Sequence, residues 1–488
     1  MKTIFAYDLG TSGLKAVALD AEFRTAGSFY APIATFNDSE AMAEQRPADW
    51  TNGFAELTSL LINDGFEPAG ICISGHSLGV VPVFKDAALP EVFRTPLWSD
   101  RRAVREVKDF FDRLDRNVWY ETTGCGLPTE MYPVFKLMWI KEHQPAVYEA
   151  AACFLGTKDY LNYLLTGSAL TDRSYASGSG LYSLRDHAYR NEYVDAAGLD
   201  SGKLPRIAAT GALVGYTGGQ FARRCSLPEG VPVYTGGVDN VCATVGAGAV
   251  REGDTYISLG SSAQFVQVTA EPRTDASRGA FVWDMGNGKY ASSFGTMSAC
   301  TALKWAVTNV FSELKGDYAA FDALAAQAEP GSGGVLFEPD IVTGRCAWRG
   351  ISAAVGRAEL ARSVLEGIAF SVLAASGLRP EQTETEKTLL ICGGGSCSPI
   401  WMQIFADVFG MTVEVPGDPG NCAARGAAAL SFYRFGAETP GTKTLNATLN
   451  TTSKEIHGSN AAREGKIYAP DREAVVRLSE CFRRYLES

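Results

Sequence analysis

Histidine is scarce, at four in 488 residues, and none of the eleven cysteines pairs with another at Cys-x-x-Cys spacing. The nearest pair, Cys392 and Cys397, has no histidine near it in the chain. A metal centre built from soft ligands is therefore not expected, and the thiols are read as reduced. No apolar run reaches the roughly 18–20 residues a membrane span needs, and no cleavable apolar segment follows Met1, so the expected location is cytoplasmic. Positive charge is also short. Lys and Arg number 44 against 55 Asp and Glu, a net charge of −11, so the long-range field repels a phosphate backbone and nucleic acid is not an expected partner. No Gly-x-x-x-x-Gly-Lys-Ser/Thr segment occurs, so any nucleotide chemistry is not of the P-loop kind.

What is present is the composition of a folded enzyme, 46% hydrophobic and 20% charged, long enough for two or three domains. Short apolar runs at 70–74 and 231–235 alternate with helical segments at 102–114 and 158–165, which predicts an α/β fold. Residues 4–7 and 15–19 read as a hairpin around the turn Gly10-Thr11-Ser12-Gly13. A second copy lies some 250 residues on, where 255–259 and 264–268 flank Gly260-Ser261-Ser262; "DLGTS" at 8 answers "SLGSS" at 258. A repeat at half the chain length predicts two domains of like topology with a central cleft, 1–247 and 248–488. The best-marked helix runs from Pro399 to Phe409, capped by Ser398 and stopped by Gly410. A last helix after Pro470 carries Val475, Leu478, Phe482 and Tyr485 on one stripe. Residues 436–460, with sequons at Asn446 and Asn450, read as a polar surface excursion.

Asp8 ends an apolar strand beside a turn of backbone donors, the pairing that Mg²⁺ and a polyphosphate together require; alone it could equally cap its own turn. Gly393-Gly394-Gly395-Ser396, between the apolar run 389–391 and a capped helix, can face a phosphate or nucleotide. Asp239, after Gly236-Gly237-Val238, stands at a strand's C-terminal end, where α/β proteins carry reactive groups, with glycines that would let a substrate approach; a helix cap is the commoner job for such a residue. Asp239 is expected to be ionised at neutral pH. Gly75-His76-Ser77 and Trp98-Ser99-Asp100-Arg101 are polar clusters able to stack on and hydrogen-bond a polyhydroxylated molecule, although each residue singly could be structural.

Taken together, "DLGTSGLKAVALD" from 8, "EQRPADW" from 44, "PLWSDRRA" from 96, "PTEMYPVFKLMWIKEH" from 128, "TGGVDNVCATVGAG" from 235, "YISLGSSAQF" from 256 and "GGGSCSPIWMQIFADVFG" from 393 resemble the FGGY family of carbohydrate kinases, most closely its xylulokinase branch. The resemblance implies two ribonuclease-H-like domains of the actin and hexokinase ATPase type, closing on ATP and a sugar. It implies transfer of the γ-phosphoryl of Mg·ATP to a ketose, D-xylulose giving D-xylulose 5-phosphate in the first instance. On matching positions, Asp239 falls at the catalytic base and Asp8 at the carboxylate that holds Mg²⁺ through water, with Asp239 nearby. Thr11, Ser12 and Lys15 resemble the first phosphate loop, Gly260, Ser261 and Ser262 the second, and Gly393 to Ser396 the adenosine segment. His76, Ser77, Trp98, Asp100, Arg101, Asp239 and Asn240 fall on the sugar side. The branch usually reads Gly-Gln-Met-His-Gly where this chain has Gly75-His76-Ser77-Leu78-Gly79, so another pentulose, hexulose or polyol is the alternative acceptor. An actin-like or chaperone-like ATPase is the alternative from another class. The oligomeric state is left open, a homodimer among the assemblies expected.

Overall fold

The computed structural model describes residues 1–85, 88–341, 344–380, 387–432 and 465–487. The segment 436–460 and both sequons lie outside the described residues. The chain forms two compact units, and neither is continuous in sequence: the first holds 1–246, 269–292 and the helix Cys422–Phe432, the second 247–268, 293–420 and the described C-terminal residues.

In the first unit, β1 (Lys2–Leu9), β2 (Gly13–Leu19), β3 (Thr25–Pro32), β4 (Glu67–Gly75), β5 (Leu213–Tyr216) and β6 (Pro232–Val238) form one sheet in the order β5-β6-β4-β1-β2-β3. β1, β4 and β6 run parallel, while β1–β2, β2–β3 and β5–β6 are antiparallel. The parallel strands are buried on both faces, which is why they read as unbroken apolar runs. Helix α1 (Pro47–Asn63) places Pro47 at its first turn and buries Trp50, Phe54, Leu57 and Leu61, a stripe at helical spacing, with Phe54 stacked on Tyr7 at 4.1 Å. Helices α2 (Val104–Phe111) and α3 (Pro133–His143) follow, and α4 (Asp239–Ala247) leaves directly from the end of β6. The helix Cys422–Phe432 packs on β1, β4 and β6 of this sheet.

The second unit repeats the plan. β7 (Thr255–Leu259) and β8 (Ala263–Thr269) form an antiparallel hairpin, β9 (Thr388–Cys392) and β10 (Thr412–Val415) continue it in parallel, and β11 (Lys466–Tyr468) pairs antiparallel, so that these five stand in the order β8-β7-β9-β10-β11 within a seven-stranded sheet. Helix α5 (Arg357–Ser376) packs on α6 (Pro399–Phe409), which begins at the Ser398 cap and stops at Gly410 in the left-handed region, as its sequence dictates. Helix α7 (Arg472–Glu487) buries Ala474, Leu478, Cys481 and Phe482. No helix among the described residues is long and apolar enough to cross a membrane.

Candidate active site

Strand register gathers the first unit's polar groups at the C-terminal edge of its parallel strands. Asp8 of β1 lies opposite Ser74 of β4, and Ser74 lies opposite Gly237 of β6. The Ser74 hydroxyl donates to Asp8 Oδ1 at 3.0 Å. Two residues beyond Gly237, Asp239 opens α4, and its Oδ1 accepts the Asn240 amide at 2.8 Å.

Burial, and after it the like charge of Asp8, lift the Asp239 carboxyl to about 7, against a smaller opposing effect of the Asn240 amide. Asp8 is also raised, by burial, with Ser74 and Lys15 working the other way. The sequence-based expectation of an ionised Asp239 therefore needs correction: burial and Asp8 shift its titration up towards neutral pH. Its cause is position. An Asp at the end of a buried strand facing a second carboxylate is not in the environment of a model peptide.

The adjacent glycines also need a different reading. Gly236 has φ +61, and a Cβ there would stand 2.0 Å from the Ile73 carbonyl; at Gly237 it would crowd Cys242 Sγ and Ser174 Oγ. These residues let β6 kink against β4, at the point where their register shifts. At both positions a side chain would collide with backbone and side chains of the protein itself. The kink is then held from behind: the Val238 amide donates to Ser174 Oγ at 2.9 Å, and Ser174 donates to Asp172.

Around the first turn, the Trp98 indole N–H donates to Thr11 Oγ1 at 3.0 Å. The two motifs thus meet. Gln45 donates to the Thr11 carbonyl at 2.7 Å and accepts from Trp50 Nε1 at 2.9 Å, and Tyr30 donates to the Ser12 carbonyl at 2.8 Å. Ser12 is exposed; Thr11 and Lys15 are half-buried. Asp100 and Arg101 are placed differently from Trp98. Asp100 is fully buried, and both its oxygens are engaged, with Arg102 in a two-pronged pair at 2.8 and 2.6 Å and with the Ala43 amide at 2.9 Å. Arg101 is exposed. Arg102, which sequence reasoning passed over, is the arginine that closes this loop, and it reaches Glu44 as well.

His76 follows β4 directly and is 1% exposed, and among the described residues its ring has no side-chain hydrogen-bond partner, only the backbone of Ser77 beside it. Burial lowers it to about 4, against the opposing effect of the Ser77 backbone and with a smaller contribution from Lys136, so the neutral imidazole is favoured. Its ring meets Trp50 edge-on at 5.8 Å. Ser77 beside it is half-buried, and Lys136, buried in α3, donates to the carbonyls of Leu78 and Leu97 and so ties together the two polar segments. Lys136 could have been noticed as a lone cation in an apolar helical run.

In the second unit, the Gly260-Ser261-Ser262 turn closes with the Gly260 amide on the Ser262 carbonyl at 2.9 Å, and the Cys300 amide at the start of a short helix donates to the Gly260 carbonyl at 3.1 Å. Gly393 and Gly395 press on Leu259 at the end of β7, Gly394 faces open space, and Ser396 is buried with its hydroxyl on the Gly393 carbonyl at 2.7 Å. The turn and the glycine segment are thus neighbours at one strand end.

Asp8 and Asp239 fit a divalent cation of the Mg²⁺ kind. They offer only hard carboxylate oxygens, and the repulsion that raises Asp239 is what a cation would relieve.

Family models give this arrangement its place. The model for the N-terminal domain of the FGGY family of carbohydrate kinases matches residues 3–246, and that for the C-terminal domain matches 255–435. The chain belongs to the FGGY family of carbohydrate kinases, and it is a sugar kinase, a phosphotransferase of the actin and hexokinase ATPase fold. It is 30% identical to the xylulose kinase of Lactococcus lactis over 86% of this chain and 87% of that one, and 27% identical to the xylulose kinase of Bacillus subtilis over 89% of each. Its fold matches that of the ligand-bound xylulose kinase from Lactobacillus acidophilus with a TM-score of 0.85, at 21% identity, covering 100% of this chain and 97% of that one. Kinases of this family use ATP, generally with Mg²⁺.

Proposed function

We propose that the chain transfers the γ-phosphoryl group of ATP to a hydroxyl of a 2-ketose, with D-xylulose as the first candidate and D-xylulose 5-phosphate as its product. The observation that carries this reading is the row of Asp8, Ser74 and Asp239 at one strand edge, together with the buried imidazole of His76 at the end of the middle strand. The curated relatives named above supply the substrate class. Asp239 accepts the proton of the attacking hydroxyl, a task suited to a group that titrates near the working pH. Asp8 and Asp239 would hold Mg²⁺ through water, and the ion would supply charge neutralisation on the transferred group. Thr11, Ser12 and Lys15 in the first unit, and Gly260, Ser261 and Ser262 in the second, serve the phosphates; Gly393 to Ser396 serve the adenosine. His76, Ser77, Trp98 and Asn240 face the sugar, while Asp100 supports them through Arg102 and the Ala43 amide. The departure at Ser77 and Leu78 favours, as a second reading, another pentulose, a hexulose or a polyol.

The test is ATP consumption across a panel of ketoses, aldoses and polyols. One ketose should stimulate turnover well above the sugar-free rate; stimulation by none would overturn the reading.

His76 permits a narrower prediction. A buried imidazole with no side-chain partner is left under-satisfied unless a ligand completes it. His76→Ala is expected to raise KM for the sugar by about 10–100-fold, the worth of one buried hydrogen bond, and to leave KM for ATP near the wild-type value. Steady-state kinetics in each substrate decides it: an unchanged sugar KM would remove His76 from the acceptor site.

A further inference from the structure

A second cluster, away from the groups assigned above, is unexplained by sugar phosphorylation. Glu106 on α2 is 3% exposed, and among the described residues neither of its carboxylate oxygens has a hydrogen-bond partner. A buried carboxylate left in that state is costly. The His143 imidazole at the end of α3 lies next to it, with Nε2 3.5 Å from Glu106 Oε1. Glu142 stands beside it. One ligand atom from each of Glu106, Glu142 and His143 lies within 4.8 Å of the others. Glu142 is half-exposed and its Oε1 accepts from Arg105 Nη1 at 3.0 Å, a pair at the surface that a stronger ligand can displace. The imidazole is oriented by stacking on Trp139 at 4.8 Å, and the Arg102 guanidinium lies over the same indole at 4.8 Å.

We propose that Glu106, Glu142 and His143 form a site for a borderline first-row divalent ion of the Zn²⁺ class, bound by two carboxylates and one imidazole with water completing the shell. An imidazole among carboxylates selects such an ion over Mg²⁺ and Ca²⁺, which take oxygen ligands. The buried Glu106 carboxylate supplies the anchor, and the ion gives its unpartnered oxygens a counter-charge. The ion joins α2 to α3 and, through Trp139 and Arg102, reaches Asp100 in the loop that carries Trp98.

Co²⁺ is the probe, because thiolate ligation gives it an intense charge-transfer band that oxygen and nitrogen ligands do not, and the chain is rich in cysteine. The full-length protein, in excess Mg²⁺, is titrated with Co²⁺ by visible absorption and equilibrium dialysis. The wild type is expected to retain one equivalent without a thiolate band. Glu106→Gln and His143→Gln should each weaken retention at least about tenfold, the scale of losing a ligand or its support. Co²⁺ should also raise the melting temperature of the wild type and not that of the variants. No retained Co²⁺, retention with a thiolate band, or equal retention in both variants would overturn the site. Circular dichroism of each variant shows that it is folded, and His143, 44% exposed, tolerates replacement even if Glu106 does not.

Discussion

Asp239→Asn is expected to lower turnover by about 10²–10⁴ and at the same time to make the folded chain more stable above neutral pH. Both effects come from one carboxyl. Burial and the Asp8 charge raise it from the ordinary 3.8 to about 7. A carboxyl whose folded pKa lies above its unfolded value favours the folded state fully below about pH 4, and that contribution is lost as pH rises towards 7. The whole shift corresponds to about 4 kcal/mol; partial exposure of the group reduces it, so a gain of ~1–3 kcal/mol is expected for the neutral amide at pH 8. Urea unfolding of both proteins at pH 8 and pH 5, without Mg²⁺, should show the gain at pH 8 and most of it gone at pH 5. The wild-type kcat/KM should rise with pH as the base deprotonates, at or below about 7 because a bound cation relieves part of the Asp8 repulsion. Turnover close to wild type in the variant would remove Asp239 from the role of base. Equal stabilities at pH 8 would mean that no like-charge strain is stored there.

The strands and the strand ends were legible in the sequence because they are local. Alternating or continuous apolar runs gave the two hairpins at Asp8 and Ser258, and the Ser398, Pro399 and Gly410 signals set the limits of α6. The kinship of the halves was legible too, since the turns repeat. Discontinuity was not. Nothing in residues 422–432 reveals that this helix packs on the first unit's sheet; that depends on which strand edge is open to it. The part of the candidate site that escaped is the set of supports, Ser74, Gln45, Arg102, Lys136 and Ser174, whose partners lie far away in the chain. Trp98 and Asp100, two residues apart, illustrate the limit: one reaches the Thr11 hydroxyl, and the other turns inward to Arg102. Spacing cannot distinguish them, because burial is decided by the segment laid over the loop. The pKa of Asp239 escaped for the same reason, since its largest cause is burial and its next is Asp8, 231 positions earlier in the sequence.

Lys158→Met is expected to be the most destabilising single change in the first unit outside its apolar core, at about 3–5 kcal/mol. Lys158 is fully buried between two carboxylates that are themselves fully buried, with Nζ 2.5 Å from Asp159 and 2.6 Å from Asp172. Burial opposes its charge, yet the two aspartates outweigh burial and hold its pKa above that of an ordinary lysine. Methionine fills the space but leaves two negative charges facing each other in a site closed to water. Thr171 donates to Asp159 at 2.7 Å, and Ser174 and Thr210 to Asp172, so hydrogen bonds alone would then carry both charges. The damage should reach the chemistry, because Asp172 fixes Ser174 and Ser174 fixes the Val238 amide, one residue before Asp239. Activity is therefore expected to fall by more than the unfolded fraction accounts for. The double variant Lys158→Met/Asp172→Asn removes one of the two uncompensated buried charges and should recover part of the loss. Denaturant unfolding of the three proteins measures this directly. A loss under about 1 kcal/mol for Lys158→Met, within the range of a surface ion pair, would show that the buried charges are not what holds the end of β6 in place.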